Sequence, residues 1–315
     1  MTRFIALILL VLGLMVAAFW WFWLRPRLPD AAIVAAAYAQ PLPPPPGPMA
    51  VFHLGHSLVG HDMPAMLQQL APQGHSYDSQ LGWGTPMKAH WEADEPIKGF
   101  DVMNAHPRYR PADEAIGSGE YDAVILTEML ELRDAIKYLD SDDYFTKWAD
   151  LARQGRPDTR VFLYETWHWL DDPDGWLNRL DRDLVELWEN GILLQDLARN
   201  PDQPAHVIPV GQVLSRFVRE VEARGGVGGI TSAEQLFGTD PEGKLDPIHM
   251  GDLGNYMVAL THYAVLYQRS PVGLPHELLK ADGTPARAPS PEAARLMQEV
   301  VWQIVTTYPK TGVPQ

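Results

Sequence analysis

From residue 49 onward, short apolar runs rich in β-branched residues alternate with longer stretches whose apolar positions recur every three or four residues. The short runs predict strands at Met49–Leu54, Tyr77–Leu81, Ala123–Thr127, Arg160–Tyr164 and His206–Val210. The longer stretches predict helices over roughly 61–71, 86–94, 141–154, 176–199, 211–224, 252–268 and 290–308. In the sixth, Leu253, Tyr256, Met257, Leu260, Ala264 and Tyr267 share one face, with Asp252 placed as its N-cap. Alternation of this kind predicts five mostly parallel strands joined by right-handed crossovers, with helices on both faces. Functional groups then belong at the carboxyl ends of the strands.

The first 48 residues follow a different pattern. Phe4–Leu24 is an uninterrupted run without a charge, closing on Phe19-Trp20-Trp21-Phe22-Trp23. As a helix it would cross roughly 30 Å of hydrocarbon, with its aromatic residues at the interface. Residues 1–24 therefore read as a transmembrane anchor or a signal sequence. Ala37-Tyr38-Ala39 resembles a cleavage site but lies far beyond the apolar run, which favours an uncleaved anchor. Arg3 on one side and Arg25 and Arg27 on the other leave the orientation almost undecided. Residues 25–48, with Pro41-Leu42-Pro43-Pro44-Pro45-Pro46-Gly47-Pro48, read as a stiff Pro-rich spacer, and 49–315 as one domain.

Composition narrows the chemistry. The formal net charge of −15 argues against nucleic acid as a partner. The chain has no cysteine, which excludes disulfides, thiolate metal sites and cysteine nucleophiles.

The first predicted strand runs into Gly55-His56-Ser57-Leu58-Val59-Gly60. A serine at a strand end and near a helix N-terminus sits where backbone N–H groups can hold an oxyanion. By itself such a serine is as readily a helix N-cap. Val59 stands where the nucleophile elbow of α/β-hydrolases has its second glycine, so the stretch is not that motif. Far downstream, Asp246-Pro247-Ile248-His249 is expected on a loop before a helix. A carboxylate three residues before a histidine can accept the imidazole Nδ1–H and leave Nε2 free to take a proton from Ser57.

Together, Val51-Phe52-His53-Leu54-Gly55-His56-Ser57-Leu58 and Asp246-Pro247-Ile248-His249 followed by Gly251-Asp252-Leu253-Gly254 resemble the first and last blocks of the SGNH/GDSL hydrolase superfamily. The resemblance spans roughly residues 49–270. It implies a flavodoxin-like three-layer α/β/α sandwich and a serine esterase with Ser57, Asp246 and His249 as its triad. It further implies an oxyanion hole built by the Ser57 N–H and a glycine N–H, for which Gly82 is preferred over Gly84. No cofactor or metal is implied. Where the family carries an oxyanion-hole asparagine, this chain reads Thr127-Glu128-Met129. An ionised Glu128 would oppose an oxyanion, so it points away, is protonated, or is replaced by another donor.

Tyr164-Glu165-Thr166-Trp167-His168-Trp169 follows the fourth strand and is expected at the same edge. Trp83, Glu128, Glu165, Trp167 and His168 are accordingly candidate substrate contacts, and Trp167, Trp169 and Trp83 suit a sugar ring or an acyl pocket. The expected partner is an acylated glycan or a small ester, and the expected task is removal of an acyl (acetyl) group from a cell-envelope glycan. The expected setting is a periplasmic or extracellular domain tethered to the membrane. Three rival readings stand beside this one: a zinc site from His53, His56, His61 and Asp62, a tethered glycan-binding protein without hydrolysis, and an acyltransferase using the same triad.

Overall fold

A computed structural model describes residues 28–240 and 242–315. The proposed membrane segment lies outside the described residues, and among those described no helix is long and apolar enough to cross a membrane.

Five strands, β1 (Ala50–His56), β2 (Ser76–Gly82), β3 (Ala123–Leu126), β4 (Arg160–Glu165) and β5 (His206–Pro209), form one sheet in the order β2-β1-β3-β4-β5. Every pairing is parallel, with Val51 opposite Ala123 and Ala123 opposite Arg160. This is the doubly wound 2-1-3-4-5 order, whose functional crevice opens at the carboxyl ends of β1 and β3. Successive side chains point to opposite faces, so each strand feeds two cores. Val51, Ile125, Phe162 and Ile208 meet α1 (Asp62–Leu70), α3 (Val210–Arg224), α4 (Asp252–Tyr267) and α5 (Pro291–Thr307). Phe52, Val124, Leu163 and Val207 meet α2 (Ser141–Gly155) and the helix near residues 184–193 on the other face.

The predicted 176–199 helix passes through a π-helical stretch at Leu184–Leu193. Short helices at Phe100–Met103, Ala112–Gly117 and Leu132–Tyr138 fill crossovers that carry too few turns for a periodic signal. Asp252 is the first residue of α4 rather than its N-cap, and Gly251 takes that place. Asp246–His249 lies on a strand, β7 (Leu245–Met250), paired antiparallel with β6 (Phe237–Thr239), where a loop was expected.

Residues 38–48 are fastened to the domain instead of standing off as a spacer. The Leu42 N–H donates to Gly312 O (2.8 Å), the Tyr38 hydroxyl to Ala205 O (3.0 Å), and Arg160 to Pro43 O (2.5 Å). Arg160 begins β4 and Pro48 precedes β1, so this strap crosses the amino ends of the strands, opposite the crevice.

Candidate active site

Ser57 directly follows β1, in a tight turn closed by the Val59 N–H on His56 O (2.9 Å). Gly60 supplies the left-handed φ of +60° that lets the chain enter α1, whose N-cap is His61. Ser57 is therefore not a helix cap, and its hydroxyl is free for another partner. That partner is His249, whose Nε2 lies 2.9 Å from Ser57 Oγ. On the other side of the ring, Nδ1 lies 2.8 Å from Asp246 Oδ2. The remaining oxygen, Asp246 Oδ1, accepts the N–H groups of Ile248 and His249, both at 3.0 Å. Partial burial acts to raise the Asp246 pKa, but these hydrogen bonds outweigh it and hold the carboxyl below its usual range. An ionised Asp246 fixes the proton on Nδ1 and leaves Nε2 as acceptor for the serine hydroxyl.

No family profile matches the chain. No characterised protein matches it in sequence. Among solved structures it resembles a DUF4886 family protein from Bacteroides uniformis, at 14% identity and a TM-score of 0.51 over 83% of this chain and 96% of that one. A candidate GDSL-like lipase from Parabacteroides merdae aligns at 10% identity and a TM-score of 0.42, over 70% of this chain and 96% of that one. The first likeness concerns the fold alone.

Ser57 and His249 open on a cleft of about 400 Å3 lined also by His56, Leu58, Trp83, Gly84, Leu130, Trp169 and Ile248. Trp83 and Trp169 remain 52% and 46% exposed. A second cleft of about 620 Å3 shares Trp169, Ile248 and His249 with the first and continues past Asp171, Glu234, Asp240 and Lys244.

Of the two glycines, Gly84 lines the cleft of Ser57 and His249. Gly82 ends β2 instead, in a position where a Cβ would overlap the Thr85 hydroxyl and Ile97. Among the described residues the Ser57 and Gly84 N–H groups donate to no other protein group, so both are free for an incoming oxygen. The Leu58 N–H is occupied by His56 Nδ1 (3.4 Å), while His56 Nε2–H donates to Glu128 O (2.8 Å). Burial pushes His56 down to about 4, which keeps it neutral and able to make both bonds.

Glu128 is fully buried and turned away from the cleft, with Oε1 accepting the N–H groups of Met129 (2.7 Å) and Met87 (3.3 Å). Burial raises its pKa to about 7 in spite of those bonds. Glu165, Trp167 and His168, expected as substrate contacts, are likewise buried. Glu165 accepts from Gln212, and His168 Nε2 sits 3.2 Å from Asp183. Trp167 donates to Ile248 O (2.7 Å). The chain leaves the pleat after Glu165, so strand alternation no longer tells which tryptophan faces outward, and Trp169 forms the wall. Leu58, Leu130 and Ile248 carried no signal in the sequence beyond their apolarity.

The four residues of the zinc alternative diverge. His53 is buried in the core and His56 reaches Glu128 O. His61 Nε2 meets Met103 O, and Asp62 meets the Ala281 N–H. Among the described residues no group of three or more His, Cys, Asp or Glu is placed to hold a metal ion.

Proposed function

We propose that this chain is a serine-dependent ester hydrolase of the SGNH/GDSL type. The observation that carries the reading is the continuous line of hydrogen bonds from Asp246 through His249 to Ser57, ending on an open cleft. His249 Nε2 takes the Ser57 proton as Oγ attacks the ester carbonyl carbon, and the Ser57 and Gly84 N–H groups receive the resulting oxyanion. As the tetrahedral intermediate collapses, the C–O bond to the alcohol breaks and His249 returns the proton to the departing oxygen. Water then repeats the sequence on the acyl-serine, releasing the acid and restoring Ser57. Asp246 holds the imidazole tautomer and stabilises its cationic form.

The biological substrate in this reading is an acylated cell-envelope glycan or a related ester. Exposed Trp83 and Trp169 beside the nucleophile support it. The apolar run Phe4–Leu24 supports tethering, with the domain periplasmic or extracellular. The test is hydrolysis of p-nitrophenyl esters by the purified full chain in detergent, against Ser57→Ala and Asp246→Asn. Ser57→Ala should lose at least about 1,000-fold in kcat, and Asp246→Asn a loss of similar order. Equal rates for Ser57→Ala and the parent would remove the nucleophile. A reporter fused after residue 315 that is active only in the cytoplasm would overturn the placement.

A further inference from the structure

We infer that the cleft bounded by Leu58, Trp83 and Leu130 binds the acyl chain of the substrate, and that this chain is an apolar one longer than acetyl. The inference rests on the esterase reading and deepens it.

The direction of the substrate follows from the triad. His249 must return its proton to the departing alcohol oxygen, so the alcohol lies on the His249 side of the carbonyl carbon. The oxyanion lies between the Ser57 and Gly84 N–H groups. The remaining substituent, the acyl chain, then points away from His249, toward Leu58, Trp83 and Leu130. The alcohol passes over His249 into the neighbouring cleft, whose Asp171, Glu234, Asp240 and Lys244 suit a polar, hydroxyl-rich group.

Volume and lining decide the acyl class. An acetyl group displaces about as much as two waters of roughly 30 Å3 each. The cleft measures about 400 Å3 including its His249 edge, so acetyl would leave Leu58, Trp83 and Leu130 largely wet. These three supply the apolar walls on the acyl side, and such walls gain from each methylene placed against them. Trp83 is a built wall and not a loose surface side chain. Its backbone N–H donates to Lys98 O (2.8 Å), and its indole rests on Gly99, where any Cβ would overlap the ring. Gly99 also holds a φ of +66°, so the glycine serves both the turn and the seat of the tryptophan.

The experiment is kcat/KM across p-nitrophenyl acetate, butyrate, hexanoate and octanoate for the full chain and for Trp83→Ala. In the parent, kcat/KM should rise about two- to threefold per added methylene up to hexanoate. In Trp83→Ala the hexanoate-to-acetate ratio should fall at least about fivefold, with circular dichroism and a cooperative thermal melt reporting that the variant is folded. If Trp83→Ala is unfolded, hexanoic acid as a product inhibitor of the parent gives the second measure, and it should bind more tightly than acetic acid. Esters hydrolysed with acetate best, or with no trend in length, would overturn this inference and leave the esterase reading standing. No ester hydrolysed at any length would remove both.

Discussion

The indole Nε1–H of Trp167 donates to the carbonyl oxygen of Ile248 at 2.7 Å, and so joins the end of β4 to the strand that carries His249. Among the described residues β7 pairs only with the three-residue β6, and a second bond from the Leu170 N–H to Pro247 O (2.9 Å) also ties it to the segment after β4. Trp167→Phe keeps an aromatic ring in the buried site and strands the Ile248 carbonyl. Stability should fall by about 1–2 kcal/mol. Because His249 is the next residue, kcat on a fixed ester should fall about tenfold while KM changes little. Thermal melting and steady-state kinetics on one preparation check this. A lowered melting temperature with kcat intact would show that Trp167 only packs the loop.

How far the sequence could be read follows from the range of each signal. Strand positions were legible within one or two residues because both faces of the sheet are buried and its strands are short apolar runs. Asp246 and His249 were legible because their relation is local, three residues apart on one segment. The pairing of that segment with Ser57 spans 192 residues and came from motif order. Trp83, Trp167 and Trp169 all read as facing the cleft, and Trp167 is buried because the chain is irregular after Glu165; between Gly82 and Gly84 the sequence had no strong ground, and Gly84 is the one that lines the cleft. The strap was read as a spacer because proline composition favours extended structure and does not tell whether that structure is docked.

Glu128 stands where an oxyanion donor was expected, and its environment makes a separate prediction. Burial raises its folded pKa from 4.5 to about 7, so the native state keeps a proton that the unfolded chain has released. Stability from this group is therefore lost as pH rises from about 4.5 toward 7 and beyond. Glu128 Oε2 is buried beside the Ser141 hydroxyl, so a glutamine Nε2 can donate to that hydroxyl. Glu128→Gln should be close to neutral at pH 5 and stabilising at pH 9 by on the order of 2 kcal/mol. Urea unfolding at the two pH values measures it. A gain equal at both would disconnect the effect from titration.

The acid side is governed by histidines in the core. His53 on β1 lies 5.9 Å, centre to centre, from His262 on α4, and both are fully buried. Burial pushes His53 well below its ordinary 6.5, and His262 and the nearby His75 down to about 4. The native state holds them neutral while the unfolded chain binds protons near pH 6.5, so stability falls as pH drops below 6.5. Neither ring nitrogen of His53 has a hydrogen-bond partner among the described residues. His53→Leu should therefore gain more stability at pH 5 than at pH 8, by about 1–2 kcal/mol. Denaturant melts at the two pH values decide it, and a loss that is the same at both would assign His53 a packing role only.

The strap makes the last prediction. Residues 38–48 satisfy four groups of the domain, through Tyr38 on Ala205 O, Leu42 on Gly312 O, and Pro43 O on both Arg160 and Gln268. Leu42 also packs against the core. A fragment starting at residue 49 loses these bonds and exposes that surface, whereas one starting at residue 28 keeps them. The shorter fragment should be less stable by about 3 kcal/mol, lowering its melting temperature by roughly 6–12 °C. Because the strap crosses the amino ends of the strands while Ser57 sits at the opposite edge, ester hydrolysis per folded molecule should match in the two fragments below the lower transition. Equal melting temperatures would return residues 38–48 to the role of a passive spacer. A loss of activity without a loss of stability would instead mean that the strap acts on the Ser57 edge through the sheet.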